Sequence, residues 1–376
     1  MRVLFTASTV SHIRNFHRPY LRAFGELGWT VAVACGGDPA SIPEAEEALS
    51  LPFEKKMTAP ANFRAQTILR RWLEEHPCDL ICTHTSLAAF FTRRAAAGVR
   101  PRPTVVNMAH GYLFDDQTSP LKRTILLSAE KWTAGQTDLL LTMNGYDFQV
   151  AQRQKLGRRV VNVPGVGVDF TRLDGLAQMD REGLRRAYGL ESEDFVLVYG
   201  AEFSSRKHQE MLIRALPGLP ERVKLLLAGQ GALWDSCRDL AQELGVAHRI
   251  IFPGQVLDMP SLYALADGAV TSSRSEGLPF NVMEAMYAGL PVVATAVKGH
   301  TDLIRDGESG LLYPYDDAAA FQGAVNRLLA EPDLAKRLGA AAQKAVEPYG
   351  LARVLPVVME AYCSALPSRE KVGAGL

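Results

Sequence analysis

Two carboxylates and two adjacent cations are the residues best equipped for chemistry in this chain. Glu276 and Glu284 stand eight positions apart within Ser272-Ser273-Arg274-Ser275-Glu276-Gly277-Leu278-Pro279-Phe280-Asn281-Val282-Met283-Glu284-Ala285-Met286-Tyr287-Ala288-Gly289-Leu290-Pro291-Val292-Val293-Ala294-Thr295. Glu276 falls in a loop. Glu284 falls in the first turns of a helix that Val282, Met283, Ala285 and Met286 predict from Phe280 to Ala288, stopped by Gly289. A helix start offers backbone N–H groups and a positive dipole end to an anion. Acids on either side of that seat could bond hydroxyls at both ends of a diphosphate, which is the layout of a nucleotide sugar. A solvated loop acid beside an ordinary dipole-favoured helix acid would use the same residues.

Arg206 and Lys207 lie at a loop-to-helix junction after a predicted strand, where a fork and a point charge suit a diphosphate. Two solvated surface cations are the plainer alternative. His110 follows another predicted strand and precedes Gly111, at the edge where open α/β sheets bind ligands. A lone histidine there more often satisfies a structural hydrogen bond than does chemistry. Gly229 belongs to a Gly-x-Gly turn, Gly229-Gln230-Gly231, that would let backbone approach a nucleotide.

The long ungapped stretch from Ser273 to Ala294 resembles the signature of the retaining glycosyltransferases of family 4, which have the GT-B fold. The resemblance implies two Rossmann-like α/β domains facing each other across a cleft. It implies that Glu276 contacts the donor sugar and Glu284 the ribose, with Gly277, Leu278, Phe280 and Asn281 as further donor contacts. It also implies that His110 faces the donor sugar, that Lys207 and Arg206 meet the diphosphate, and that Gln255 and Val256 lie in the loop bonding the base. Two departures stand out. Glu202 occupies the place where such enzymes usually carry an Arg, and the loop after the first strand, Ala7 to His17, contains no glycine. A subset acting on capsular or exopolysaccharide units has a similar loop, which assigns Ser8, His12 and His17 to the acceptor or donor sugar. His12 and His17 could equally make local hydrogen bonds.

The elements that must position these residues alternate strand and helix throughout, which predicts an α/β fold with parallel sheets. At 376 residues the chain has room for two cores. A first domain is expected over 1–165, a nucleotide-sugar domain over 166–350, and a returning helix and tail over 351–376, the tail after Leu366 reading as disordered. The first is read as a strand over Arg2 to Thr6, a loop over Ala7 to Asn15 and a single helix over Phe16 to Leu27. Val163-Pro164-Gly165-Val166-Gly167-Val168-Asp169 has the composition of a hinge.

Formal charge is zero, but residues 1–178 hold 21 Lys/Arg against 16 Asp/Glu, a surplus of five that the remainder reverses. That imbalance does not suggest nucleic acid. It permits the first half to rest on an anionic membrane surface, through Lys55, Lys56, Arg64, Arg70 and Arg71 around one predicted helix. Leu69, Trp72 and Leu73 on that helix read as core. Five cysteines with no paired spacing suggest reduced thiols, Cys78 and Cys82 being core residues rather than zinc ligands. No signal peptide is expected before the first strand, and no apolar run reaches the ~20 residues of a membrane span. A cytoplasmic protein with peripheral contact on the inner face of the plasma membrane is therefore expected.

The resulting expectation is a hexosyl- or N-acetylhexosaminyltransferase. It would move a sugar from a nucleotide diphosphate sugar, UDP-linked, to a saccharide acceptor on a lipid carrier, in cell-surface polysaccharide synthesis. No cofactor and no metal are expected, because no Asp-x-Asp occurs in a plausible phosphate loop. Two rivals fit the same pattern. A GT-B sugar-nucleotide epimerase would need no acceptor, and a non-catalytic two-domain binding protein would release no nucleotide.

Overall fold

β1 (Arg2–Ala7) is buried from Val3 to Ala7 on both faces, as a central strand of a parallel sheet must be, with Thr6 its one buried polar residue. The computed structural model describes residues 1–367, so most of the tail after Leu366 lies outside the described residues. Within these the chain forms two units, Met1–Gly167 with the residues from Ala352 onward, and Val168–Leu351. Gly165 and Gly167, next to the boundary, have φ of 78° and 75°, which side chains other than glycine rarely adopt.

In the first unit a helix pair, α1 (Val10–Phe16) and α2 (Arg18–Glu26), follows β1. The single helix expected over Phe16 to Leu27, and the loop expected before it, are both corrected. Pro19 sits in the first turn of α2, where its missing N–H does no harm but where it cannot prolong α1. His17 is left at the joint. Then come β2 (Thr30–Cys35), β3 (Glu47–Ser50), α3 (Pro60–Glu75), β4 (Leu80–His84), α4 (Ser86–Ala96), β5 (Thr104–Ala109), α5 (Pro120–Ala134), β6 (Leu139–Thr142), α6 (Gly145–Arg153) and β7 (Arg159–Asn162). The strands make one parallel sheet in the order β3-β2-β1-β4-β5-β6-β7. The C-terminal helix Leu351–Ser364 brings Tyr362 against Phe5, Tyr20 and Phe24 of this unit.

The second unit contains α7 (Arg181–Ala187), β8 (Phe195–Gly200), α8 (Gln209–Ala215), β9 (Val223–Ala228), α9 (Trp234–Glu243), β10 (Ile250–Gly254), α10 (Met259–Leu265), β11 (Gly268–Thr271), α11 (Phe280–Tyr287), β12 (Val292–Thr295), α12 (His300–Leu303), β13 (Leu311–Tyr313), α13 (Ala318–Ala330) and α14 (Pro332–Val346). Its parallel sheet runs β10-β9-β8-β11-β12-β13. Leu197, Leu225, Leu227, Val270 and Val293 on the strands meet Leu212, Phe321 and Leu338 on the helices in one core. α11 ends as its sequence suggests. Gly289, at φ 74°, turns the chain so that the Leu290 amide donates to the Ala285 carbonyl at 3.1 Å. Cys78 and Cys82 are buried free thiols, as read from the sequence.

Candidate functional site

In each sheet the order reverses between two neighbouring strands, β1 and β4 in the first unit and β8 and β11 in the second. Connections leave such a pair in opposite directions, so the loops at their carboxyl ends splay apart and open a ligand crevice.

In the second unit the loops after β8 and β11 are tied to each other. The Ser272 hydroxyl lies 2.9 and 2.8 Å from the carbonyls of Lys207 and His208, and the Arg274 amide donates to the Arg206 carbonyl at 2.8 Å. Ser273 meets the Tyr199 hydroxyl at 2.8 Å, and the Thr295 hydroxyl donates to the Ser273 carbonyl at 2.6 Å. This framework brings three expected residues together. Lys207 Nζ is 2.6 Å from Glu276 Oε1, and the Arg206 guanidinium is 2.8 Å from Glu276 Oε2 and 3.2 Å from the Ser275 carbonyl. Burial alone would raise the Glu276 carboxyl, but the Lys207 and Arg206 charges bring it down to about 2. Burial pulls the Lys207 ammonium down while Glu276 holds it up. Two cations against one buried carboxylate leave a positive excess beside the start of α11, where exposed Glu202 offsets it only in part.

Glu284 lies in the middle of α11 and is also buried. Its Oε1 takes the Arg172 guanidinium at 2.7 Å and its Oε2 the Tyr263 hydroxyl at 3.0 Å. Burial raises this carboxyl, and Arg172 and Tyr263 hold it back. Gly277, Asn281 and Phe280 are partly buried around the helix start, and Leu278 is buried. Gln255 is exposed and Val256 half-buried just past β10.

Gly229 is closely packed by the chain itself. A Cβ there would stand 2.0 Å from the Ala201 carbonyl oxygen, and one at Gly231 would stand 2.3 Å from that of Phe203. The glycines admit the chain's own β8 loop at these two points.

Sequence reasoning passed over several residues here. Arg172 and Tyr263, the partners of Glu284, lie in segments with no motif. Gly299 packs on the acid itself, since a Cβ there would come within 2.9 Å of Glu276 Cβ and of the Gly277 carbonyl. His300 follows, buried, with Nδ1 2.8 Å from the Thr295 carbonyl and its pKa pushed down to about 4 by desolvation.

The first unit gathers histidines. His84 ends β4, His110 follows β5, His12 lies on α1 and His17 at the α1–α2 joint. His84 Nδ1 is 3.1 Å from His110 Nε2, the His17 and His84 rings stack at 3.7 Å, and His12 meets His110 edge-on at 4.6 Å. Desolvation lowers all four pKa values, that of His12 to about 4, so the rings are neutral at pH 7. Ser8 joins through Thr85, whose hydroxyl is 2.7 Å from Ser8 Oγ. Thr85 has φ 61°, strained for a β-branched residue, and such strain concentrates at working sites. The strand-end rule that singled out His110 applies equally to His84, which was missed.

Two parallel-sheet Rossmann-like units, each with a crevice at its switch point, are the architecture of GT-B proteins. A model of the glycosyl transferases of group 1 matches residues 180–345, and one of a glycosyl transferase 4-like domain matches 16–164. EpsD of Bacillus subtilis (strain 168), a protein named as a glycosyltransferase, is 34% identical over 367 residues, covering 96% of both chains. Among solved structures, sucrose-phosphate synthase from Thermosynechococcus elongatus superposes at TM-score 0.81 with 19% identity over all of both chains. Anabaena Alr3699/HepE in complex with UDP-glucose superposes at 0.79 with 20% identity, over 97% of this chain and all of that one. The chain belongs to the group 1 glycosyltransferases, with the GT-B fold.

Proposed function

We propose that this glycosyltransferase takes a hexose or N-acetylhexosamine from a UDP-linked donor and passes it, with the anomeric configuration retained, to a saccharide on a lipid carrier during cell-surface polysaccharide synthesis. The observation that carries the donor half is the buried Glu276 carboxylate gripped by Lys207 and Arg206 at the ends of the switch strands. The positive excess there, with the first-turn amides of α11, suits a diphosphate. Glu276 then faces the sugar and Glu284 the ribose. As the C1–O bond breaks, the electron pair leaves with the diphosphate. The acceptor oxygen bonds to C1 on the same face and gives its proton to the departing phosphate oxygen. Lys207 and Arg206 meet the leaving charge, so neither Mg²⁺ nor Mn²⁺ is needed there. Ser8, His12, His17 and His110 serve the acceptor and sugar. The relative in complex with UDP-glucose supports a nucleotide-sugar donor.

Peripheral membrane contact belongs to this proposal, but on a different helix from the one first singled out. Arg70 spends its guanidinium on the carbonyls of Arg94, Ala95 and Ala97 at the end of α4, at 3.0, 3.2 and 2.6 Å. α5 instead exposes Leu121, Ile125 and Trp132, at 74%, 61% and 67%, among Lys122, Arg123 and Lys131. An apolar stripe flanked by cations suits an anionic lipid surface. No helix among the described residues is long and apolar enough to cross a membrane.

The test is thermal stabilisation by a panel of nucleotide sugars, followed by UDP release with and without a lipid-linked acceptor. A ligand at 100 times its Kd stabilises by about 2.7 kcal/mol. UDP release that depends on acceptor supports transfer, whereas conversion of the donor without acceptor supports an epimerase.

A further inference from the structure

The histidine cluster of the first unit contains more ring nitrogens than the transfer chemistry uses. His12, His17 and His110 each bring a ring nitrogen into one space, the three atoms lying within 4.8 Å of one another. Independently, His12 Nε2, both nitrogens of His17 and His84 Nε2 are buried without a hydrogen-bond partner. Every neutral imidazole keeps one N–H and one lone pair. Fully buried His17 therefore strands both a donor and an acceptor, which native interiors seldom tolerate.

We propose that His12, His17 and His110 form a three-imidazole site for a divalent transition-metal ion, with Zn²⁺ as the fitting ion, and that His84 orients His110. The donor set argues for the ion. Imidazole suits Zn²⁺, Cu²⁺ or Ni²⁺, whereas Mg²⁺ and Ca²⁺ seek oxygen. Three protein ligands leave a fourth position open for water or a hydroxyl of a bound molecule. Ligands about 2.1 Å from a tetrahedral ion stand roughly 3.4 Å apart, so the nitrogens must draw in. His12, on the seven-residue α1 and only partly buried, is placed to move. His110 is partly buried as well. The 3.1 Å contact from His84 to His110 is the kind of outer contact that fixes a ligating ring.

The experiment uses the full chain stripped with a chelator and titrated with Zn²⁺ by calorimetry, then with Co²⁺ by visible absorption. One equivalent of Zn²⁺ and d–d bands from tetrahedral Co²⁺ are expected. His12→Gln, at a partly exposed position that should leave folding intact, is expected to weaken Zn²⁺ by at least the roughly 10–100-fold that loss of an outer partner alone costs. His248→Gln, an exposed histidine of the other unit, should change nothing. Absence of stoichiometric binding, meaning that water alone fills the space, would overturn the proposal. So would equal affinity in His12→Gln and the wild type, which would place the ion elsewhere. Since the readout is metal and not turnover, either result leaves the transferase reading untouched.

Discussion

Replacing Lys207 by methionine tests the charge arrangement of the second unit most directly, because it keeps the stem and removes the ammonium. Lys207 and Glu276 are 2.6 Å apart with side chains only 12% and 7% exposed, while Arg206 is 47% exposed and its share is screened. At an effective dielectric of 20, unit charges roughly 3 Å apart attract by on the order of 5 kcal/mol, which desolvation of both groups reduces. Removing one partner of a buried pair costs about 3–5 kcal/mol. With Arg206 still on the carboxylate, the lower end is expected, about 3 kcal/mol. Glu276→Gln strands a buried ammonium and should cost a similar amount. The double variant buries neither charge alone, so the single effects should fail to add by on the order of 2 kcal/mol. Calorimetric midpoints are the assay, since a chain of two units need not unfold in one step. About 3 kcal/mol corresponds to a shift of roughly 6–12 °C in a unit of this size. The acid limb supplies a second check. Glu276, at about 2 when folded against an ordinary 4.5, contributes stability that is present above pH 4.5 and lost as pH falls through about 2. In Lys207→Met that loss should be smaller and should be complete at higher pH. An unchanged midpoint in Lys207→Met, or strictly additive single effects, would refute the reasoning. Turnover should drop by about 10²–10³, the usual cost of one group that meets leaving charge.

Glu284→Ala should weaken free UDP as well as the nucleotide sugar by about 10- to 150-fold, from a charge-assisted bond of about 1.5–3 kcal/mol, and unchanged UDP affinity in a folded variant would remove Glu284 from the ribose. Gly299→Ala should destabilise the chain by about 1–3 kcal/mol and raise the donor KM, because the new methyl must displace the Glu276 loop at a φ of 84°; wild-type KM would show that Gly299 does not seat the acid. His300 has its pKa depressed to about 4, so the folded state resists a proton that the unfolded chain accepts near 6.5, and stability should fall as pH drops from 6.5 to 4; His300→Gln should flatten that slope, as read by urea midpoints at stepped pH. Ile125→Glu with Trp132→Ala should abolish salt-sensitive binding to anionic liposomes, and full retention would take the membrane contact away from α5.

The alternating pattern and the stretch around Glu276 were legible because each is local. A buried parallel strand is an apolar run, and α11 is bounded by Pro279 and Gly289, whose backbone preferences act whatever surrounds them. β3 was not legible, since Glu47–Ser50 has no apolar run and becomes a strand only by pairing with β2 at the sheet edge. The joint at His17 was missed together with α1, a seven-residue helix whose one buried side chain, Ile13, leaves no apolar period to read. At the site, the acids and cations could be named from motif, but Arg172 and Tyr263 reach Glu284 over 112 and 21 positions, a pairing no local pattern carries. Gly229 shows a second thing that a local motif does not carry. A Gly-x-Gly turn invites a ligand reading, yet the atom that excludes a side chain there is the Ala201 carbonyl of the same chain.

The two units place opposite chemistry at the same topological position. At the β8/β11 switch point the side chains are charged and matched, with Lys207, Arg206 and Glu276 held in a framework of hydroxyl-to-carbonyl bonds from Ser272 and Thr295. Charges that must meet a leaving diphosphate do so best when their positions are fixed before reaction. At the β1/β4 switch point the side chains are four neutral imidazoles, several with unused nitrogens, beside a strained Thr85. Neutral rings can neither bind a diphosphate by charge nor repel a neutral sugar, but they can exchange hydrogen bonds with hydroxyls or hold a metal ion. In the proposed reading the unit with the charges takes the donor. In the same reading the unit with the imidazoles takes a neutral acceptor, and His12→Gln should then raise the acceptor KM while leaving UDP affinity at the wild-type value.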